Sequence, residues 1–311
     1  MYLTKKDPKW KTCLIVYYDL EFSGDIRVNF GLGCSIHQIA AKSKRNQFFC
    51  NVNPYLTKKN VARPIDDRYP MMSKEAFYDS NAVSFPEAYS RFINFLYKLL
   101  LKRNKKWVLL VSHNGFRSDK IVLEHEIAYH QLRKPPVMFF DSLLFIRDTF
   151  AGLESYSLEN LYQTMFDKPL PQAHNAAADT CALEKVIKAM KRPLHGTAYP
   201  FYSLPWRNVA GIGFVGEQLL LHSGIQDVTT LFTTTGGNGI STVHTLDRCG
   251  VKYYDAMVQN LLEWYKLCHR LVVHNNHGRV FGQLDGCNHF KPTLYTLAPR
   301  NGHTPMRRVQ R

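Results

Sequence analysis

The sequence predicts an α/β fold, a mixed sheet flanked by helices, followed by a smaller, mainly helical C-terminal domain. Three observations carry this. Apolar β-rich runs come first, at residues 12–20, 37–42 and 47–52. Strand-like and helix-like stretches then alternate up to about residue 191. Beyond a Pro- and Gly-containing stretch the pattern turns helical and less regular.

The run TCLIVYYDL, residues 12–20, reads as a central strand buried on both faces. Residues 84–87 (SFPE) predict a helix start with a capping box and proline inside the first turn. The helix behind it places Tyr89, Phe92, Ile93, Leu96, Leu99 and Leu100 on one stripe before a basic run, 102–106. WVLLVS, residues 107–112, is a second buried strand leading into His113-Asn114-Gly115. A helix at about 119–132, a strand at 137–141 and helices near 158–166 and 176–191 complete the first domain. Pro193 and residues 196–205 mark its end, which gives expected domains of 1–195, 196–270 and a C-terminal extension, 271–311. In the second domain helices are expected at 217–222, 227–232 and 253–267, with a glycine-rich break at 236–239.

With 311 residues and 45 % hydrophobic content the chain has material for a full core. Forty Lys and Arg against 25 Asp and Glu leave a net charge of +15, and the last fourteen residues form a basic tail without an acid. That surplus favours a polyanion, because phosphates neutralised by Lys or Arg release counterions. The seven cysteines are odd in number, scattered and without a CxxC pair, as expected of reduced thiols in an intracellular, cytoplasmic or nuclear protein. The N-terminus lacks the make-up of a signal peptide, and no stretch approaches the roughly 20 apolar residues of a membrane span, so no membrane partner is expected.

The acidic residues concentrate in short signatures. Asp19 and Glu21 are two apart, so a strand projects both from one face. Two like charges there are costly unless cations compensate them; the bland alternative is an acidic turn in water. Asp119 opens a helix six residues after His113, where its alternative role is to face the helix dipole. Asp179 falls inside a helix, and His174 precedes it on a Pro- and Gln-containing loop that suits a general base. Gly115 permits close backbone approach, and Asn114 and Arg117 are natural phosphate or sugar contacts. Four carboxylates and a histidine suffice to hold two divalent cations and activate water against a phosphodiester.

In order and context these tracts resemble the DEDDh branch of the DnaQ-like 3′→5′ exonucleases, within the RNase H-like superfamily, and look most like the TREX-type (three-prime repair) members. The resemblance is carried by WVLLVSHNGFRSD (107–119), FDSL (140–143), SYSL (155–158) with Leu161-Tyr162 behind it, and HNAAAD (174–179), and covers about residues 12–190. It implies an RNase H-like sheet and metal ligands Asp19, Glu21, Asp119 and Asp179, holding two Mg2+ or Mn2+ ions. It further implies that His174 deprotonates the attacking water, that Leu20 packs near the terminal nucleotide, and that His113, Asn114 and Arg117 contact substrate. Nucleoside 5′-monophosphates would leave one at a time from DNA 3′ ends, single strands or frayed duplexes preferred. A homodimer paired through an edge strand is compatible with it. RNA 3′-trimming, or nucleic-acid binding without catalysis on the same fold, are the competing readings. Two departures stand out: Phe22-Ser23-Gly24 follows Glu21 where the family more often has a small residue, Thr and Gly, and Ser118 precedes Asp119 where TREX-type members commonly have an aromatic.

In the second domain VAGIGFVG (209–216) is similar to a helix-hairpin-helix, whose Gly211 and Gly213 would present backbone N–H groups to a DNA phosphate. A purely structural role for these glycines is the alternative. Cys268, His274, His277, Cys287 and His289 follow no recognised zinc-finger spacing and read as ordinary buried cysteines and surface histidines rather than a zinc site.

Overall fold

The computed structural model describes residues 2–3, 12–26, 33–63, 73–201, 206, 209, 212, 214–253, 255, 257–259 and 261–263. Five strands form the main sheet: β1 (Cys13–Ser23), β2 (Ser35–Ser43), β3 (Asn46–Asn51), β4 (Trp107–Ser112) and β5 (Val137–Asp141), in the order β3-β2-β1-β4-β5. β2 runs antiparallel to both its neighbours, whereas β1, β4 and β5 are mutually parallel. This is the mixed, helix-flanked sheet expected from the sequence, with the strand order and directions of the RNase H-like arrangement. Tyr2–Leu3 and Gly196–Thr197 form a separate antiparallel pair.

The first compact unit comprises Met1–Asp25, Gly33–Glu126 and Lys134–Phe201; the second comprises Ile26–Leu32, Ile127–Arg133 and Tyr202–Arg311. In the first unit the helices are α1 (Lys74–Asp79), α2 (Phe85–Arg103), α3 (Asp119–Tyr129, whose last turn belongs to the second unit), α4 (Ser142–Thr149), α5 (Leu158–Phe166) and α6 (Ala176–Ala189). The two-residue period of β1 sends Leu14, Val16, Tyr18 and Leu20 to one face, all of them buried. Residues 13, 15, 17, 19 and 21 take the other. There Cys13 and Tyr17 join Ala182, Leu183, Val186 and Ile187 of α6 in one core cluster, backed by Leu161 and Tyr162 of α5. The acidic pair therefore faces α6. On the opposite side Phe48 of β3 packs on Phe92 and Phe95 of α2, with ring centroids 5.6 Å apart in each case.

β1 does not stop at Leu20 as its apolar run suggested. It continues through Ser23, with a register shift against β2 between Glu21 and Phe22. Such a bulge re-aims the side chains beside it. α2 begins where expected, with proline in its first turn, but the capping box does not form: the Ser84 side chain makes no cap hydrogen bond. The Glu87 carboxylate that would reach back is paired instead with Arg91 one turn on. α3 ends at Tyr129, three residues short of expectation, and Gln131 just beyond it takes a left-handed φ of 54°.

The described part of the second unit holds α7 (Phe214–His222), α8 (Val228–Thr235) and α9 (Gly239–Arg248). The expected glycine-rich break is the α8–α9 turn, where Gly236 and Gly237 have φ of 62° and 68° and Asn238 caps α9 through Ser241 N–H. Gly211, Gly213, the Cys/His cluster at 268–289 and the basic tail lie outside the described residues, and the helix expected at 253–267 is described only in part. No helix among the described residues is long and apolar enough to cross a membrane.

Candidate metal centre

The site is assembled from β1, α6 and the start of α3. The Asn175 side chain caps α6 by accepting the N–H groups of Ala177 and Ala178, at 3.1 and 3.2 Å. Gln38 of β2, opposite Glu21 in register, accepts the Ala176 N–H at 3.2 Å and ties the same helix end to the sheet. Asp179 thereby sits in the first turn of α6, over the acidic face of β1. Asp19, Glu21 and Asp179 each offer a carboxylate oxygen, all within 4.8 Å of one another.

Asp119 joins them through the backbone of the residue between the pair. Its Oδ1 accepts the Leu20 N–H at 2.9 Å and its Oδ2 the Ser118 hydroxyl at 2.7 Å. The Leu20 side chain points to the opposite face of β1, only 4 % exposed, so its present contribution to the site is that N–H.

Burial raises the proton affinities of these four carboxylates, and crowding adds to it at three of them. Burial, then Asp119, Glu21 and Asp179, hold Asp19 well above the usual carboxylate range. Burial with Asp179 and Asp119 pushes Glu21 up to about 8. Asp179 is pushed up to about 7 by burial, relieved by the His174 N–H and reinforced by Glu159 and Asp119. Asp119 reaches only about 6, because its hydrogen bonds offset part of its burial.

These residues fit a divalent cation on two grounds of geometry. The donor set is all oxygen, which suits hard ions such as Mg2+ or Mn2+. Asp179 Oδ1 is buried without a hydrogen-bond partner among the described residues, a costly state that a cation would relieve.

His174 lies on the turn before α6 with a left-handed φ of 64°. Its N–H donates to Asp179 Oδ2 at 3.1 Å, and its ring Nε2 stands 3.2 Å from Glu159 Oε1, in the first turn of α5. Sequence reasoning missed Glu159. Its only signal there, a Glu two residues after the N-cap Ser157, is indistinguishable from an acid facing a helix dipole.

The loop after β4 is arranged differently from a set of open substrate contacts. His113 Nε2 lies 2.7 Å from the Tyr156 carbonyl, which can only accept, so Nε2 carries the proton and Nδ1 accepts from the Ser142 hydroxyl at 3.0 Å. Burial lowers this imidazole to about 4, against the Tyr156 carbonyl and with Arg147, so it stays neutral. Both ring nitrogens are thus used inside the fold. Asn114 and Arg117 are exposed, Asn114 with a left-handed φ of 59°. Asp141, which sequence reasoning quoted without a role, accepts three backbone N–H groups: Asn114 and Leu143 on Oδ1, both at 2.9 Å, and Phe116 on Oδ2 at 3.1 Å.

No protein-family model and no curated protein matches this chain. Solved structures similar to it include the zinc-bound form of an Escherichia coli ExoI–ssDNA complex, at 15 % identity and TM-score 0.44 over 57 % of this chain and 40 % of that one. Another is a 3′-exonuclease described with a histone mRNA stem-loop, at 13 % identity and TM-score 0.45 over 57 % of this chain and 63 % of that one. The chain therefore spans less than two thirds of each.

Proposed function

We propose that this chain is a metal-dependent 3′→5′ exonuclease that releases nucleoside 5′-monophosphates from DNA ends, preferring single strands or frayed duplexes. The observation that supports it most is the convergence of Asp19, Glu21 and Asp179 within 4.8 Å, with the loop of His174 hydrogen-bonded to the third of them. Asp19, Glu21, Asp119 and Asp179 would hold two Mg2+ or Mn2+ ions. Bound there, such ions polarise the phosphate and lower the proton affinity of water. His174 takes the proton of the attacking water, and the Glu159 carboxylate, 3.2 Å from its Nε2, restrains the imidazole. Preference for unpaired ends follows from the unstacking cost of drawing a terminal nucleotide into an enclosed site. The surplus of positive charge supplies the general attraction to the phosphate backbone.

End-labelled DNA and RNA oligonucleotides of matched sequence, with free or blocked 3′ ends and with Mg2+ or chelator, test this directly. Expected is a ladder shortening from unblocked 3′ DNA ends, dependent on Mg2+ and lost in Asp19→Ala and His174→Ala. Digestion that survives both substitutions overturns the assignment. Shortening of RNA in preference to DNA keeps the chemistry and changes the substrate. Nucleic-acid binding without cleavage under any metal leaves only the binding reading.

A further inference from the structure

We infer that Asp141 is a positioning residue for the metal centre, setting the place of Asp119 through the backbone of the loop between them. The inference rests on the metal-dependent nuclease reading above and adds a residue to its machinery.

Asp141 ends β5 opposite Ser112, the last residue of β4. It is buried, and its carboxylate oxygens face the loop that leaves β4. Each oxygen is used. Two N–H groups of that loop, Asn114 and Phe116, donate to Oδ1 and Oδ2 respectively, and Leu143 N–H donates to Oδ1. Ser142, the next residue, holds the loop's first side chain through His113 Nδ1. Two adjacent residues thus grip the loop along residues 113–116.

That grip has something to overcome. Asn114 holds a left-handed φ of 59°. Without the carboxylate the buried Phe116 N–H would be left unpaired and the part-buried Asn114 N–H would lose its acceptor, and the chain would relax to recover them. Asp119 lies one residue past Ser118, and its Oδ1 reaches β1 at the Leu20 N–H. A shift of the loop therefore moves a carboxylate relative to Asp19 and Glu21. The Asn114 and Phe116 N–H groups, spent on Asp141, are also withdrawn from any role in holding a substrate phosphate.

A neutral amide cannot replace this carboxylate. In Asp141→Asn one oxygen can still serve Asn114 and Leu143, but the NH2 then meets the Phe116 N–H, donor against donor. The test compares wild type, Asp141→Asn, Ile146→Val and Asp148→Asn. Ile146 is buried on α4, so its truncation mimics a loss of stability; Asp148 is an exposed acid on the same helix. The readouts are Mn2+ binding by electron paramagnetic resonance, amide hydrogen exchange at Asn114 and Phe116 in the metal-free protein, and the Mg2+ concentration for half-maximal cleavage. Asp141→Asn is expected to weaken Mn2+ binding by about tenfold or more and to raise the Mg2+ requirement alike, the range found when partners of metal ligands are removed. It should also speed exchange at the two amides. Ile146→Val should lower the melting temperature without either change, and Asp148→Asn should alter nothing.

Asp141→Asn behaving like Ile146→Val, destabilised but binding Mn2+ as wild type does, overturns the inference. If wild type itself neither binds Mn2+ nor cleaves, the parent reading fails instead, and the amide exchange still reports whether Asp141 holds the loop. Should Asp141→Asn not fold, Ser142→Ala decides: it removes only the hydroxyl on His113 and should weaken Mn2+ binding, and unchanged binding overturns the inference.

Discussion

The backbone N–H of His174 donates to Asp179 Oδ2 at 3.1 Å, so a metal-ligand candidate also fixes the loop that carries the candidate base. The bond is local, five residues apart, and needs the left-handed turn at His174 to form. The imidazole is restrained separately, by Glu159 from a different helix. Backbone and ring of one residue thus answer to two carboxylates with different jobs.

Glu159→Gln separates those jobs. The amide can still accept a hydrogen bond from the ring but no longer offers a charge to an imidazolium. The expected result is a kcat about tenfold lower with an unchanged KM for oligonucleotide, a small part of the roughly 10²–10⁴-fold that a general base itself contributes. Mn2+ binding should fall much less than the rate, because Glu159 pairs with His174 and is not among the carboxylates that converge. A loss of Mn2+ binding equal to the loss of rate would place Glu159 among the metal ligands and contradict this division.

The carboxylate cluster should make the metal-free protein weaker as pH rises. Asp119, Asp179 and Glu21 have folded values pushed up to about 6, 7 and 8 from ordinary values of 3.8, 3.8 and 4.5. A raised carboxylate means that the native state binds more protons than the unfolded chain. Its contribution is fully present below the unfolded value and is lost as pH climbs through the folded one. Between about pH 4 and 8, chelator-treated protein is expected to lose stability from these groups, and millimolar Mg2+ to restore it. Asp19→Asn removes a titrating group that burial and its neighbours hold well above the usual carboxylate range, so at pH 8 it should melt higher than wild type in chelator. Its response to Mg2+ should be strongly reduced. Thermal melts with and without metal check both, and an Asp19→Asn protein less stable in chelator would sink the electrostatic reading.

How much of this was legible follows from how local each signal was. β1 and β4 announced themselves as apolar β-rich runs, and α2 as a stripe with a proline start. Asp19 and Glu21 share a face because a strand has a period of two, which the sequence states directly. His174 and Asp179 are close in chain. The pairings that refine the site are not local. Glu159 meets His174 across fifteen residues and a loop, and Asp141 meets Asn114 across two strands. Lys120 and Glu124 have the spacing of an ordinary solvated helix pair, yet both side chains are 0 % exposed, with Lys120 Nζ 5.2 Å from the Phe139 ring centre. Nothing in that spacing distinguishes a buried pair from a wet one. α1 and α4 are too short, at 6 and 8 residues, to show a helical period.

His37 should dominate one part of the acid response. Burial lowers its imidazole from 6.5 to about 4, against a backbone hydrogen bond at Phe22 that raises it. A lowered histidine means that the unfolded chain takes up the proton first. Stability is present above the unfolded value and is lost as pH falls toward the folded one. From about pH 6.5 to 4 this single group should cost about 3 kcal/mol. The carboxylates act in the opposite sense across part of that range, so the difference between wild type and His37→Gln is the quantity to measure. His37→Gln should lose less stability than wild type on acidification, by denaturant unfolding at matched pH. Parallel pH profiles would show that His37 is not held neutral.

Gly115 offers the sharpest steric test of the loop before Asp119. A Cβ built there would lie 1.7 Å from Ser112 Oγ and 2.7 Å from Ser112 Cβ, distances no side-chain rotation at Ser112 relieves completely. It would also come into contact with Asp119 Oδ2, at 3.6 Å. Gly115→Ala is therefore expected to destabilise the protein by about 1–3 kcal/mol, the usual cost of overpacking, and to reduce cleavage by displacing Asp119. Ser112→Gly removes both clashing atoms at the end of β4, at the expense of strand stability. The double variant should recover more activity than Gly115→Ala alone while remaining less stable than wild type. A double variant no more active than Gly115→Ala would mean that the glycine is required for something other than room beside Ser112.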